Sequence, residues 1–324
     1  MKAIVHDRYG PPDVLRFQEV DKPVPAGNEV LVRVRAAAVN ARDWHFMRGD
    51  PYLARAAFGL RAPKVRIRGT DFAGVVEAVG GDVTRFSPGD EVYGEVEAAF
   101  AEYVSVPDDL VERKPANLSF EQAAAIPLAG NTALMGLRDV ARVRPGQQVL
   151  INGASGGVGT FAVQLAKSFG AQVTAVCSTR NAELVRSLGA DHVVDYTRED
   201  FTRAGQRYDV VFDLVGNRSL ADLRRALTPT GTLVLSGGGV SEGGSLVGPI
   251  GLVVKGRLLA RFVRHRVTTL EAVPSGANLA TLRELAEAGT LTPVIDRTHP
   301  LSETAEAIRY VEEEHARAKV VLTV

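Results

Sequence analysis

The chain has 324 residues, 45% hydrophobic and 23% charged, with 38 Lys plus Arg against 38 Asp plus Glu. That size and balance fit a soluble globular protein of two domains with a large core, and zero net charge argues against a general nucleic-acid binder. The single cysteine, Cys177, excludes an intrachain disulfide and a four-cysteine structural zinc site, and it fits a reducing compartment.

From the N-terminus, MKAIVHDRYGPP lacks the apolar core of a secretory signal. No stretch reaches the roughly 18 apolar residues that span a bilayer; the longest candidate, 249–263, is broken by Lys255, Arg257 and Arg261. A cytoplasmic protein is expected. The first third reads as short strands at 2–6, 30–34, 72–79 and 100–106, punctuated by Pro11-Pro12, Pro88-Gly89 and Pro107. Many short strands with Gly and Pro turns predict a barrel or sandwich-like lobe.

The pattern changes near residue 120. Strand-like runs at 148–152, 173–177, 192–196, 208–215 and 232–236 alternate with segments of helical spacing, such as Phe161, Leu165, Ala166 and Phe169. Runs such as VVFDLV are continuous enough for buried parallel strands, so the middle is predicted to be a doubly wound parallel sheet. Gly237 to Gly244 reads as a glycine-rich loop, and 250–267, with Lys255, Arg257, Arg261, Arg264, His265 and Arg266 among Leu and Val, as a substrate-lobe or dimer-contact helix rather than a membrane-surface one. Helices are predicted at 279–288, closed by Gly289, and at 302–314 with Ser302 as N-cap; KVVLTV (319–324) reads as a final strand.

The most informative segment is VLINGASGGVGTFAVQLAKSFGAQVTAVCSTR, residues 149–180. A strand runs into Gly153-Ala154-Ser155-Gly156-Gly157-Val158-Gly159 and directly on into a helix. Such a turn lets backbone approach a diphosphate at the helix N-terminus. The same residues also satisfy G-x-S-x-G, the nucleophile elbow of hydrolases, with Ser155 as nucleophile and Asp213 and His265 or His299 completing a triad. A barrel-like lobe before the turn argues against that alternative. At the end of the second strand an NAD site places an acid on the ribose. Here stand Ser178, Thr179 and Arg180, whose hydroxyls and guanidinium suit a 2′-phosphate, with Tyr196 as a further contact. The expected cofactor is NADP(H). The backbone at Val215, Gly216, Ser236 and Gly237, at carboxyl ends of strands, is expected to meet its ribose and nicotinamide.

GTDFAGVV (69–76), PGDEVYG (88–94), AIPLAGNTAL (125–134) and NGASGGVG (152–159), taken together, resemble the medium-chain dehydrogenase/reductase superfamily, and within it the zinc-free quinone oxidoreductase branch. The resemblance spans nearly the whole chain. It implies an α/β protein: a GroES-like β-barrel catalytic domain (1–120, completed by 289–324) and a Rossmann doubly wound sheet binding NADP (121–288). It also implies a cofactor contact at Thr132, alongside Ser155, Gly156, Gly157 and Val158. The superfamily's zinc-dependent alcohol dehydrogenases carry a Cys ligand where Asn40 stands and a His where Thr70 stands, so no metal is expected. Without a metal to hold an alkoxide, hydride transfer to a quinone or to the β-carbon of an enone is the accessible chemistry. Asn40 is the expected polar contact for the developing oxyanion, with His45 and Tyr52 in the same loop, and Tyr52 or water is expected to return the proton. The expected partners are a small-molecule quinone or enone and, as a homodimer, a second copy of the chain; membrane contact is not expected. Two alternatives remain open: a non-catalytic NADPH sensor or scaffold, and the Ser155 hydrolase.

Overall fold

The computed structural model describes residues 1–236, 251, 255–256, 263–313 and 316–324. They divide into two compact units, 1–131 with 273–324, and 132–272. In chain order the strands are β1 (Lys2–Val5), β2 (Arg16–Glu19), β3 (Glu29–Val39), β4 (Asp71–Val79), β5 (Glu91–Glu95), β6 (Tyr103–Pro107) and β7 (Val111–Arg113). Then follow β8 (Gln148–Asn152), β9 (Gln172–Cys177), β10 (His192–Asp195), β11 (Tyr208–Asp213), β12 (Leu227–Leu235), β13 (Arg266–Thr269), β14 (Ile295–Pro300) and β15 (Lys319–Thr323).

In the first unit a seven-stranded sheet runs β14-β15-β3-β4-β5-β7, with β6 paired to β3. Strand β3 is the spine. Its eleven residues alternate inward Val with outward Arg as far as Arg35 and then run apolar to Val39, because both ends are covered by partners. One face buries Val30, Val32, Val34, Phe72, Val76 and Val92 together. The C-terminal strand β15 pairs antiparallel with β3, Val320 opposite Val39, and lies between β3 and β14.

In the second unit six parallel strands are ordered β10-β9-β8-β11-β12-β13, the 3-2-1-4-5-6 arrangement whose ligands bind where the strand order reverses, at the carboxyl ends of β8 and β11. The helix Gly157–Ser168 buries Phe161, Val163 and Leu165 beneath that sheet.

Several sequence expectations shift. The division falls at 131 and 273 rather than at 120 and 289. The helix Gly276–Glu287 belongs to the first unit: Tyr93 Oη donates to its Leu279 carbonyl at 2.7 Å, and Asn131 Nδ2 reaches the Val273 carbonyl at 2.7 Å, tying the two crossing segments together. That helix starts earlier than expected because Ser275 caps it through the Asn278 N–H. Ser302 is not a cap: a 3₁₀ turn spans Leu301–Glu303, and the helix begins at Thr304, whose hydroxyl bonds back to Leu301. The strands β2, β5, β7 and β14 are too short or too polar to carry the period-2 signal. The expected helix at 250–267 ends instead in strand β13, whose Arg266–Thr269 pairs with β12. The rest of that segment, with Arg257 and Arg261, and the glycine-rich loop with Gly237, lie outside the described residues, apart from Gly251, Lys255, Gly256 and 263–265.

Candidate active site

The cofactor candidates of the second unit gather at one edge of its sheet. Residues 153–158 follow β8, Ser178, Thr179 and Arg180 follow β9, Tyr196 follows β10, Val215 and Gly216 follow β11, and Ser236 follows β12. The turn after β8 is possible only with glycine at two places. Gly153 has φ +87°, a left-handed conformation that favours glycine, and a Cβ on Gly159 would lie 2.1 Å from the Gly153 carbonyl oxygen. Gly156 precedes the helix Gly157–Ser168 as its N-cap, with Gly157 and Val158 as its first two residues. Thr132 is buried in the helix Pro127–Leu134.

Two side chains that the sequence reading did not assign to the cofactor hold this edge together. Asp213 Oδ1 accepts from Asn152 Nδ2 at 2.8 Å and from the N–H groups of Val215 at 3.2 Å and Gly216 at 3.1 Å, which fixes the turn after β11. Asn181 Nδ2 donates to Ser155 Oγ at 3.0 Å and to Ser178 Oγ at 3.3 Å, joining the first two strand ends. Asp213 Oδ2 and Asn181 Oδ1 are buried and meet no donor among the described residues. Buried acceptors without partners beside a backbone turn that excludes side chains suit a dinucleotide's hydroxyls and phosphates. A third unassigned residue is Asp195, at the end of β10 opposite Cys177: it accepts from the hydroxyls of Thr179 and Thr197, which pulls its carboxyl below the ordinary range. Thr179 is therefore committed to a neighbouring acid; Arg180 and Tyr196 at the same corner are exposed. Both Asp213 and Asp195 close a strand, which was the available sequence signal.

The same geometry removes the hydrolase alternative. Ser155 accepts from Asn181, Asp213 Oδ1 braces the turn after β11, and His265 Nδ1 accepts from Arg224 Nε at 3.3 Å. His299 belongs to β14 of the other unit, beside Glu303 at 3.6 Å.

In the first unit strand register builds a buried polar cluster. Ala38 lies opposite Asp71 on β4, and Val39 opposite Val320 on β15, so Asn40, Asp71 and Lys319 meet. Asn40 Nδ2 donates to Asp71 Oδ2 at 3.0 Å and to the Ala38 carbonyl at 3.3 Å. Lys319 Nζ donates to Asn40 Oδ1 and lies 3.3 Å from Asp71 Oδ2. The other Asp71 oxygen accepts from Leu128 N–H at 3.0 Å. Asp43 takes the Asn40 N–H at 2.8 Å and the Thr70 hydroxyl at 3.2 Å. Lys319 is 2% exposed and Asp71 fully buried. Burial raises Asp71, against the pull of Lys319. It also holds Asp43 up at about 6, and Glu95 up at about 7, where the charge of Asp71 adds to burial. Glu95 faces Arg42 at 3.6 Å.

This cluster occupies the positions at which the superfamily resemblance places metal ligands, and its donors do not fit a metal. Asn40 and Thr70 offer an amide and a hydroxyl in place of thiolate and imidazole, and the lysine ammonium already supplies the local positive charge. Among the described residues no group of three His, Cys, Asp or Glu side chains is placed to hold an ion. Asn40 also departs from its expected role. Both its amide hydrogens are spent on Asp71 and Ala38, so it acts as an internal strut rather than as a donor to substrate. His45 and Tyr52 stand in other surroundings. His45 sits on the helix Ala41–Arg48, stacked on Trp44 with ring centroids 3.7 Å apart and its Nδ1 3.2 Å from the Asp50 carbonyl; burial lowers its pKa, so it is neutral at pH 7. Tyr52 is 45% exposed, its ring 4.6 Å from the Arg55 guanidinium.

Comparison with known proteins identifies two family matches. The alcohol dehydrogenase GroES-like domain family matches residues 26–116 and the zinc-binding dehydrogenase family residues 188–322. A mitochondrial NAD(P)H oxidoreductase of Mus musculus is 38% identical, covering 100% of this chain and 89% of its own. A chloroplastic NADPH-dependent alkenal/one oxidoreductase of Arabidopsis thaliana is 36% identical, covering 99% and 79%. The solved structure of the quinone oxidoreductase from Coxiella burnetii superposes with a TM-score of 0.88 at 33% identity, covering 100% of this chain and 99% of that one.

Proposed function

This chain belongs to the medium-chain dehydrogenase/reductase superfamily, and on that footing we propose that it is an NADPH-dependent, metal-independent reductase of quinones or α,β-unsaturated carbonyls. The observation that carries the reading is the edge of the parallel sheet, where five strand ends, a glycine turn and two buried acceptors without a donor among the described residues converge. The reduced dinucleotide, when bound, supplies the hydride.

The chain's own part is to bind, orient and manage charge. Gly156, Gly157 and Val158 offer helix N-terminal N–H groups to the diphosphate. Ser178 and Arg180 hold the 2′-phosphate, with Tyr196 beside them. The Asp213-braced backbone at Val215 and Gly216, with Ser236, Ser155 and Thr132, orients the rest. In the first unit Lys319 does by a fixed ammonium what a metal does by ligation: it neutralises Asp71 and locks Asn40. Tyr52, 45% exposed, returns the proton, directly or through water, and neutral His45 keeps the helix before it in place through Asp50. Direct alcohol oxidation, which leans on a Lewis acid, is not the reaction assigned. We read the working form as a cytoplasmic homodimer. Supporting features are the single buried thiol, Cys177, and strand β13, which ends the parallel sheet with one edge unpaired among the described residues.

The test is NADPH oxidation against a panel of water-soluble quinones, alkenals and enones, after dialysis against a chelator. Turnover that survives chelation supports the proposal; NADPH binding without turnover on any of them leaves a sensor or scaffold; activity restored only by zinc refutes metal independence. Arg180→Ala raises the KM for NADPH about tenfold or more while leaving NADH little changed, and an equal effect on both removes the phosphate role.

A further inference from the structure

A surface helix in the first unit is inverted. Residues Tyr52–Ala54 form a 3₁₀ turn that runs on into Arg55–Phe58. Its inner side is anchored: Phe58 packs edge-on to Phe46 at 4.0 Å, and Arg55 donates to the Gly49 carbonyl at 2.9 Å and the Arg48 carbonyl at 3.1 Å. Its outer side carries Leu53, Ala56 and Ala57, and just past its end, beyond Gly59, stands Leu60; all four are exposed, with Leu53 at 52% and Leu60 at 76%. A surface helix ordinarily turns such a stripe inward, and an outward apolar patch marks a contact. Around it the charge has one sign. Residues 51–70 contain Arg55, Arg61, Lys64, Arg66 and Arg68 and no Asp or Glu. Arg61 and Lys64 are exposed, while the nearby acid Asp7 is spent on Arg16 and Arg66. Beside the helix a groove of about 310 Å³ has an apolar floor of Val5, Val20, Val65 and Ile67 and cationic lips, Lys64 and Arg66.

We propose that this face docks on the surface of an anionic phospholipid bilayer, with Leu53 and Leu60 entering the acyl boundary and Arg61 and Lys64 meeting headgroup phosphates. Apolar side chains ringed by cations are the requirement for lying in an interface, and one short helix gives reversible attachment rather than insertion. A second copy of this face is a poor occupant, because its cations repel their own image. The reductase reading gives the docking a purpose, since lipophilic quinones dissolve in bilayers, but the docking does not depend on it.

The full chain is sedimented at low salt with vesicles of phosphatidylcholine alone or with added phosphatidylglycerol, and NADPH-dependent reduction of a water-soluble quinone is measured alongside. Binding to the mixed vesicles, weak binding to the neutral ones and release at high salt are expected. Each basic residue near such a surface contributes about fivefold, so Arg61→Glu with Lys64→Glu lowers binding at least tenfold. Leu60→Glu lowers it about fivefold or more, and each variant keeps soluble-quinone turnover and circular dichroism unchanged. Wild-type protein that ignores anionic vesicles, or variants that bind as it does, overturn the proposal. Loss of turnover in wild type with binding intact refutes the reductase reading and leaves the docking standing.

Discussion

The glycine turn of the second unit and the lysine cluster of the first do comparable jobs by different means. In the turn the important groups are consecutive: Gly153 to Gly159 carry their geometry in local backbone, and only Asn181 and Asp213 come from further along. In the cluster Asn40 reaches a partner 31 residues away, Asp71, and another 279 away, Lys319, and nothing local connects them. A site written in backbone tolerates almost no side chain at its tightest point. A site written in strand register tolerates loss of any one member only if the charge it balanced is removed too.

The largest effect is therefore expected in the turn. Gly159→Ala puts a methyl within 2.1 Å of the Gly153 oxygen, with Ala154 backbone close behind at 2.7 Å, so strand β8 and its helix cannot close as they do. A fall in Tm of about 5 °C or more and loss of NADPH binding at least a hundredfold are expected, read by calorimetry and fluorescence. Gly156→Ala is the control: its φ of −82° suits alanine, and the nearest atom to an added Cβ is 3.4 Å away. It should fold normally and lose affinity for NADPH alone. If both variants melt and bind alike, the turn is a folding device and not a ligand cradle.

Next in size is Lys319→Met. It strands the Asp71 carboxylate at full burial, a loss of about 3–5 kcal/mol by denaturant unfolding. Adding Asp71→Asn to the same chain should return much of that, because the uncompensated charge goes with it. A double variant as unstable as the single one would mean that Lys319 stabilises by packing, and the electrostatic account of the buried cluster would fail.

The contrast also explains what could be read from residues alone. The run into Gly153 announces strand, turn and helix in one window, and the strands at 148–152, 173–177 and 208–215 are legible as apolar runs, the last ending at Asp213 in the structure. KVVLTV was legible as a strand too, but a strand's neighbours are set by pairing, and the register that puts Val320 against Val39 leaves no mark within either segment. Lys319, Asp71 and Asp43 thus went unassigned, and Asn40 was taken for a substrate contact because its place in the turn was visible while its partners were not. The boundaries near 120 and 289 slipped for a related reason: Gly276–Glu287 follows the Rossmann strands in sequence, yet the bonds from Tyr93 to Leu279 and from Asn278 to Asn131 hold it to the first unit.

The smallest expected effect separates two buried titrating groups of the first unit by sign. His6 is wholly buried, its Nε2 meets no partner among the described residues, and burial together with the nearby Arg68 charge pulls its pKa to about 4. Between that value and the ordinary 6.5 the unfolded chain binds a proton that the folded one refuses, so His6 costs stability as pH falls through this window. Asp43, raised to about 6, does the reverse. Between about 4 and 6 the folded chain holds a proton that the unfolded one has released, so its burial costs stability as pH rises. The two slopes oppose, and the wild type should show a shallow profile there. His6→Gln removes one of them. Measured by urea midpoints from pH 7.5 down to 4.5, it should gain on the wild type steadily, by on the order of 2 kcal/mol at the acid end. Asp43→Asn should gain most at the neutral end. Parallel curves for wild type and His6→Gln would show that His6 titrates alike in both states, and that its burial among Arg8, Val65 and Arg68 carries no electrostatic cost.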